Sequence, residues 1–547
     1  MSENNPTAKS SVLKKQSGRF LSGVAVLTLS TAIVKVIGLL YKIPMIKVLG
    51  EEGMGYFNSA YELYTFFYII ATAGLPVAIS IMIAKSLENG RCENVKKIYN
   101  VVFAILFLLG LVGTVVLYYG AGFFGEAIGN TNAVMCIAAI APMVMFVCVS
   151  SAVRGFFQGH QNMMPTAISQ IIEALGKLLL GLALAVWSIK EGYSIPMAAS
   201  FATAGITVGV GLSMLYLLLS KLIVKRGSSI ESKDDSKDTS KSILVNLFKI
   251  AVPITLSSLV ISLTRVVDLV MIMRRLQAIG YTMGAANAIY GSYSTLAVSM
   301  YNLPTAFVSP IAISLVPILA SAAHSKDTGR ENRILNSSLR LCGLITLPAS
   351  LGLSIFSRPI LELLFAGETS AINVAAPLLS VLGMSVFFSS LMTVTNAILQ
   401  AYGMEKKPIV SMFIGALVKT VFSYILIGIP SINIYGAPIS TLICALTVAF
   451  INLCYIRKAT RELDSVTKLF VKPLLASIVS IGAVGIVYFA LIRISGGSYL
   501  ITLAAISIAV VLYGLCCLKM KAVVSEDILM LPMGDKIEKL LRKVKLI

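Results

Sequence analysis

The sequence predicts an all-α polytopic membrane protein: about 14 transmembrane helices, in two pseudo-symmetric six-helix lobes (a parallel repeat) plus two C-terminal helices. Three observations predict it. Of 547 residues, 57% are hydrophobic and only 13% charged, where a soluble chain carries roughly 25% charged residues. Apolar stretches recur from Phe20 to Leu518, each near the ~20 residues needed to cross a hydrocarbon core. The basic residues between them fall overwhelmingly on one side.

In order, the spans are 20–45, 57–84, 98–120, 133–153, 164–187, 195–220, 243–273, 286–320, 334–357, 372–402, 408–429, 435–456, 473–492 and 498–518. The first reads as a true span and not a cleaved leader. Its apolar run exceeds an h-region, holds Lys35 and Lys42, and shows no A-x-A site. The domain reading is a cytoplasmic tail 1–19, an N-lobe 20–224, a linker 225–242, a C-lobe 243–456, a two-helix appendage 470–518 and a basic tail 519–547. The linker, "KRGSSIESKDDSKDTSKS", is polar and lacks aromatics, which predicts a flexible cytoplasmic connection. The tail "MGDKIEKLLRKVKLI" spaces Ile537, Leu540, Leu541 and Val544 as an amphipathic helix on the inner leaflet; a solvated tail is the competing reading.

With both termini cytoplasmic, the inner tails and loops hold 32 of the 45 Lys and Arg. The outer loops hold Lys47, Lys190, Arg274, Arg275, Arg358 and Arg493. That asymmetry is the positive-inside rule. It assigns the net charge of +20 to topology and to attraction for anionic membrane lipid, not to nucleic acid. The eight cysteines lie in a loop (Cys92) or in and beside apolar segments and form no disulfide framework. His160 and His324 lack metal-ligand spacing, and there is no phosphate-cradling P-loop, nucleophile elbow or large outer loop. No enzyme, metal or cofactor is expected.

The halves repeat. Lys35 precedes Gly50 by fifteen residues, as Arg265 precedes Gly280; "GLP" at 74–76 answers "NLP" at 302–304. At a shift of 242 residues, Gln158 meets Gln400 and "EALGK" (Glu173–Lys177) meets "GALVK" (Gly415–Lys419). Six helices per half is even, so both halves enter from one side and are related by an axis along the membrane normal.

A charge at mid-helix costs about 2.5–3.5 kcal/mol on insertion scales. Lys42 and Lys249 lie near span ends, where long cations snorkel. Lys35, Lys177, Arg265 and Lys419 lie deeper, with Glu62, Glu173 and Asp268 as acidic company. Glu173–Lys177 is an i,i+4 pair and Arg265–Asp268 an i,i+3 pair. Internal pairing that only ties helices together is one reading. The other is a common, net-positive space between the halves that favours an anion near the midplane. Tyr41, Tyr56, Tyr61, Tyr64 and Tyr68 line that space or form an interfacial belt. Prolines 76, 142, 304, 310 and 317 are expected to kink their spans. Arg154 and Gln158, in the turn "RGFFQGHQNMMP", and Gln400 are candidates for an inner gate or a topology-setting loop.

Two stretches, "VKVIGLLYKIPMIKVLGEEGMGYFNSAYELY" and "RGFFQGHQNMMPTAISQIIEALGK", within the paired halves resemble the MOP flippase superfamily. The chain is most similar there to the polysaccharide-transport branch and its stage V sporulation protein B-like group, related to the MurJ lipid II flippases. The resemblance spans roughly residues 15–520. It implies translocation of an undecaprenyl-pyrophosphate-linked saccharide, a lipid II-like cell-wall precursor or related oligosaccharide, from inner to outer leaflet of a bacterial plasma membrane by alternating access. Lys35 stands where the MurJ flippases carry an arginine, keeping the charge but not the forked donor. Ser299 stands where they often carry an arginine before the proline of the eighth helix. On this reading Lys35, by the resemblance, and Arg265, by the internal repeat, are expected to hold the pyrophosphate, Glu62 and Asp268 to poise them, and Lys177, beside Glu173, and Lys419 to extend the positive surface. The last two helices face the polyprenyl tail. Envelope-synthesis enzymes are expected partners, and coupling runs through the membrane potential or an ion. The rival readings are a MATE-type multidrug or cation antiporter, a non-transporting scaffold for envelope assembly, and an envelope glycosyltransferase or polymerase.

Overall fold

The structure, a computed structural model, describes residues 6–227, 238–325, 327–460, 466–495 and 499–524. Among these residues all regular structure is helical. The amphipathic helix expected at 533–547 lies outside them, as does most of the linker.

The first helices are α1 (Pro6–Thr72), α2 (Leu75–Glu88), α3 (Cys92–Tyr119), α4 (Ala121–Ile128), α5 (Val134–Ile140), α6 (Pro142–Gly159), α7 (Met164–Gly176), α8 (Leu182–Lys190), α9 (Ile195–Gly227) and α10 (Ser240–Ala278). There follow α11 (Met283–Ser292), α12 (Val298–His324), α13 (Thr328–Ile355), α14 (Ser357–Leu364), α15 (Thr369–Ala401), α16 (Lys406–Ile427), α17 (Gly436–Ala459), α18 (Val466–Ser495) and α19 (Tyr499–Lys519). Thirteen stretches among the described residues are long and apolar enough to cross a membrane. One of them, Leu29–Glu88, runs 60 residues, ample for two crossings of about 20 residues each. It contains the first two expected spans, so the expected number of crossings agrees. Such a chain is a multi-pass membrane protein.

The expected boundary between the first two spans is present and tight: α1 is two helices that meet at Gly50 (φ 68°, ψ −178°), a conformation essentially restricted to glycine. A second break, at Ala73–Gly74, interrupts the second expected span. Two of the prolines do not kink helices: Pro76 and Pro142 sit in the first turns of α2 and α6, where the missing N–H would have been unpaired anyway. Pro304, Pro310 and Pro317 do lie inside α12. Two π-helical turns interrupt spans, at Lys177–Gly181 and Tyr293–Ala297.

The chain packs as two units. The first takes the described residues up to Met273 together with Met283–Gly291. The packing boundary therefore does not follow the linker, because α10 packs on the first unit. Asp238, just before α10, accepts from Arg91 Nη2 and Asn94 Nδ2, both at 3.0 Å, while its own N–H donates to Asn94 Oδ1 at 2.9 Å. On the same unit, Asn287 donates to the Glu52 carbonyl (2.5 Å) and accepts from Asn130 (2.7 Å). These bonds fix the start of α11 against α1.

The second unit takes Arg274–Thr282 and the described residues from Ser292 onward. Its core joins Val308, Leu315, Leu335, Ile398 and Phe470. In a second cluster Val484 and Tyr488 of α18 and Ala505 of α19 pack with Phe356. Tyr513 donates to the Leu344 carbonyl at 2.8 Å.

The repeat is visible in backbone detail. Gly50 and Gly280 both have positive φ, 68° and 104°. After α6, Gln161 N–H bonds the Gln158 carbonyl and Asn162 N–H that of Phe157. After α15, Gly403 N–H bonds Gln400 and Met404 N–H bonds Leu399, the same turn 242 residues on. Gln161 and Gly403 share the left-handed conformation, at 57° and 70°.

Candidate functional site

Two charged groups lie among the spans of the first unit. In one, Arg154 of α6 and Lys177, where α7 passes into its π-turn, bracket Glu173. Arg154 Nη2 lies 3.2 Å from one carboxylate oxygen and Lys177 Nζ 2.9 Å from the other. Arg154 Nε also donates to Ser169 Oγ at 3.1 Å. Arg154 and Glu173 are buried. The expected Glu173–Lys177 pair is thus present, with a third member from another helix. The turn expected to begin at Arg154 is shorter: residues 154–159 are helical and only 160–163 form the turn. Arg154 can sit inside the span because Glu173 neutralises it. Gln158 is half-buried on the same helix.

Tyrosines of α1 face this triad. Phe57, Tyr61, Tyr64 and Tyr68 follow i,i+4,i+7,i+11 spacing, one face of a helix, with ring centroids 6.0, 5.7 and 5.7 Å apart in turn. Tyr41 joins at 6.0 Å from Phe57. Lys177 Nζ lies 3.5 Å from the Tyr61 hydroxyl and 5.6 Å from its ring centroid. Tyr64 and Tyr68 lie within electrostatic range of Glu173 and Arg154.

The second group is Lys42, Glu62 and Arg265. Lys42 interacts electrostatically with both of the others. Lys35 lies seven residues before Lys42, hence on the same face of α1 and about 10 Å along it. Lys35 and Arg265 are exposed and Lys42, Glu62 and Asp268 half-buried. An intramembrane cation faces water or protein and not lipid. Sequence reasoning passed over Lys42 as a snorkelling end residue; its i,i+7 relation to Lys35 was the available signal.

Lys419 is buried on α16, and Gln400 is exposed near the end of α15, both in the second unit. The repeat is chemically unequal there. At the 242-residue shift, Arg154, Ser169, Glu173 and Lys177 become Asn396, Ser411, Gly415 and Lys419. Asn452 ties two of these together, accepting from Ser411 at 2.6 Å and donating to Asn396 at 2.7 Å. The serine and the lysine persist, so of the three charged residues only the lysine has a counterpart. No cluster of His, Cys, Asp and Glu able to hold a metal occurs among the described residues.

A family model described as "Polysaccharide biosynthesis protein" matches residues 20–323, and one described as "MatE" matches 253–425. From Bacillus subtilis, the uncharacterized membrane protein YabM is 26% identical over 95% of this chain and 96% of its own length. The lipid II flippase MurJ of the same organism is 28% identical over 75% of this chain and 78% of its own, and stage V sporulation protein B is 26% identical over 80% and 84%. Among solved structures, the inward closed lipid II flippase MurJ superposes with a TM-score of 0.67 at 17% identity, covering 90% of this chain and 98% of that one. An inward-facing multidrug resistance MATE transporter of the MOP superfamily gives 0.66 at 15%, covering 80% and 98%. With its helical architecture, its repeated halves and more than half its length matched, the chain belongs to the polysaccharide biosynthesis protein family.

Proposed function

We propose that the chain is a flippase that carries an undecaprenyl-pyrophosphate-linked saccharide from the inner to the outer leaflet by alternating access of two lobes. The observation that carries this reading is a charge balance. In the two charged groups and their helix neighbours Lys35 and Asp268, the cations Lys35, Lys42, Arg154, Lys177 and Arg265 stand against the carboxylates Glu62, Glu173 and Asp268. Five against three leaves two positive charges in excess. A pyrophosphate diester brings about two negative ones, whose passage through hydrocarbon is prohibitive without paired cations. Lys35, Lys42 and Arg265 are the ligands we assign to the pyrophosphate, poised by Glu62 and Asp268. The relatives named as a lipid II flippase and a sporulation protein support this substrate class. An inside-negative potential favours outward movement of the anion by about 2.3 kcal/mol per charge per 100 mV across the full field.

The MatE match and the MATE-like fold give a cation antiporter as the second reading. That chemistry needs a carboxylate open to a cation, and both oxygens of Glu173 are already bound by Arg154 and Lys177. Native mass spectrometry separates the two. The flippase reading expects purified protein to retain undecaprenyl pyrophosphate and lipid II, and Lys35→Ala/Arg265→Ala to lose both. Retention of a cationic dye in place of either lipid would establish the antiporter.

A further inference from the structure

We propose that the aromatic face of α1 at Tyr61 and Tyr68, backed by the Arg154–Glu173–Lys177 triad, is a saccharide subsite, separate from the cations that hold the pyrophosphate; this rests on the flippase reading above. Tyr61 and Tyr68 are half-buried, whereas Tyr64 between them is buried. Their seven-residue spacing puts the two accessible rings on one face, about 10 Å apart along the axis. The Tyr64 hydroxyl is fully enclosed and has no hydrogen-bond partner. Its electrostatic neighbours are Glu173, Tyr68, Tyr61 and Arg154.

The chemistry selects a sugar. A pyranose has an apolar C–H face that lies on an aromatic ring and a rim of hydroxyls that both donate and accept. Aromatic side chains supply large rigid contact area. Around them the triad offers both hydrogen-bonding roles: each Glu173 oxygen already accepts one bond, from Arg154 or Lys177, and has lone pairs left for a sugar hydroxyl, while Lys177 and Arg154 donate. Glu173 also cancels one of the two charges beside it, so this face is a weaker anion site than the one formed by Lys35, Lys42 and Arg265. A polyprenyl tail, having no polar atoms there, would leave the remaining donors and acceptors of the triad unserved. Lys177 keeps 21% of its side-chain surface exposed, so the cluster can be reached.

The test is native mass spectrometry of purified protein with two probes, bare undecaprenyl pyrophosphate and lipid II. Wild type is expected to bind lipid II about tenfold more tightly, the gain of roughly one good stacking contact. Tyr61→Leu/Tyr68→Leu should lose that increment yet bind the bare carrier as wild type does, which also shows that it is folded. Tyr61→Phe/Tyr68→Phe should keep most of it. Lys35→Ala/Arg265→Ala should lose both probes. Equal wild-type affinity for the two probes, or a leucine variant that keeps the increment, overturns the subsite and leaves the flippase reading standing. Failure of wild type to bind either probe overturns both.

Discussion

Glu173 is a carboxylate between two cations, buried in a membrane-spanning region. Two ions taken from water into such a site lose hydration worth several kcal/mol each, and only close, bonded partners make up the loss. Arg154 at 3.2 Å and Lys177 at 2.9 Å are such partners. Removing the centre of the triad leaves like charges facing one another. Glu173→Gln should therefore cost about 3–5 kcal/mol, read as a large drop in the thermal midpoint of the detergent-solubilised protein. Arg154→Met in the same background should recover part of that loss, because it removes one of the stranded charges. Half of this arrangement was legible in the sequence. Glu173 and Lys177 are four apart on one helix, so their pairing follows from helical spacing. Arg154 is 19 residues from Glu173, across a turn, and no local pattern links them; a charged residue at a span's end was read as its boundary. Lys42 was misjudged for the same reason, since a cation near a span end ordinarily snorkels.

At the scale of elements, the spans were readable because hydrophobic length alone defines them; what happens between and within them was not. At Gly50 the loop between the first two spans shrinks to a single non-helical residue, because a glycine in a region closed to other residues turns the chain from one helix directly into the next. A Cβ at Gly50 would meet no atom within 4 Å, so the obstacle to substitution is conformational. Gly50→Ala should cost about 1–3 kcal/mol, and Gly280→Ala, at φ 104°, should act in the same direction; denaturation midpoints of the two variants check both. The clamp on Asp238 was also invisible, because its partners Arg91 and Asn94 lie more than 140 residues away. A hydrogen bond from Asn94, outweighing the opposing effect of partial burial and seconded by Arg91, holds the Asp238 carboxyl below its ordinary value of 3.8. A lowered folded-state value stabilises the clamp above the ordinary carboxylate value and gives way only as pH falls through the lower one. Limited trypsin digestion near Lys237 and Lys241 should thus be unchanged between about pH 7 and 5, whereas Asp238→Ala should speed it several-fold at both.

For the whole molecule, the repeat is what a sequence reader can trust furthest. Weak matches at fixed shifts correspond to shared backbone: the turn after Gln158 and the turn after Gln400 use the same hydrogen bonds. The packing division could not be read that way. A polar linker looks like a boundary, yet α10 beyond it packs with the first unit, held by buried contacts that composition does not report. Orientation rests on the basic loops. In a cysteine-free background, Ser194→Cys, in an exposed loop on the opposite side from the linker, should label in intact cells, and Ser240→Cys only after permeabilisation.

The central claim is that a surplus of positive charge within the spans carries a lipid-linked pyrophosphate across the bilayer. Translocation of fluorescent lipid II in proteoliposomes tests it most directly, with wild type beside Lys35→Ala/Arg265→Ala. Wild type is expected to move the lipid between leaflets and to do so faster under a potential negative on the side of departure, while the folded double variant falls to the rate of empty vesicles. A double variant that moves lipid II as fast as wild type would contradict the account.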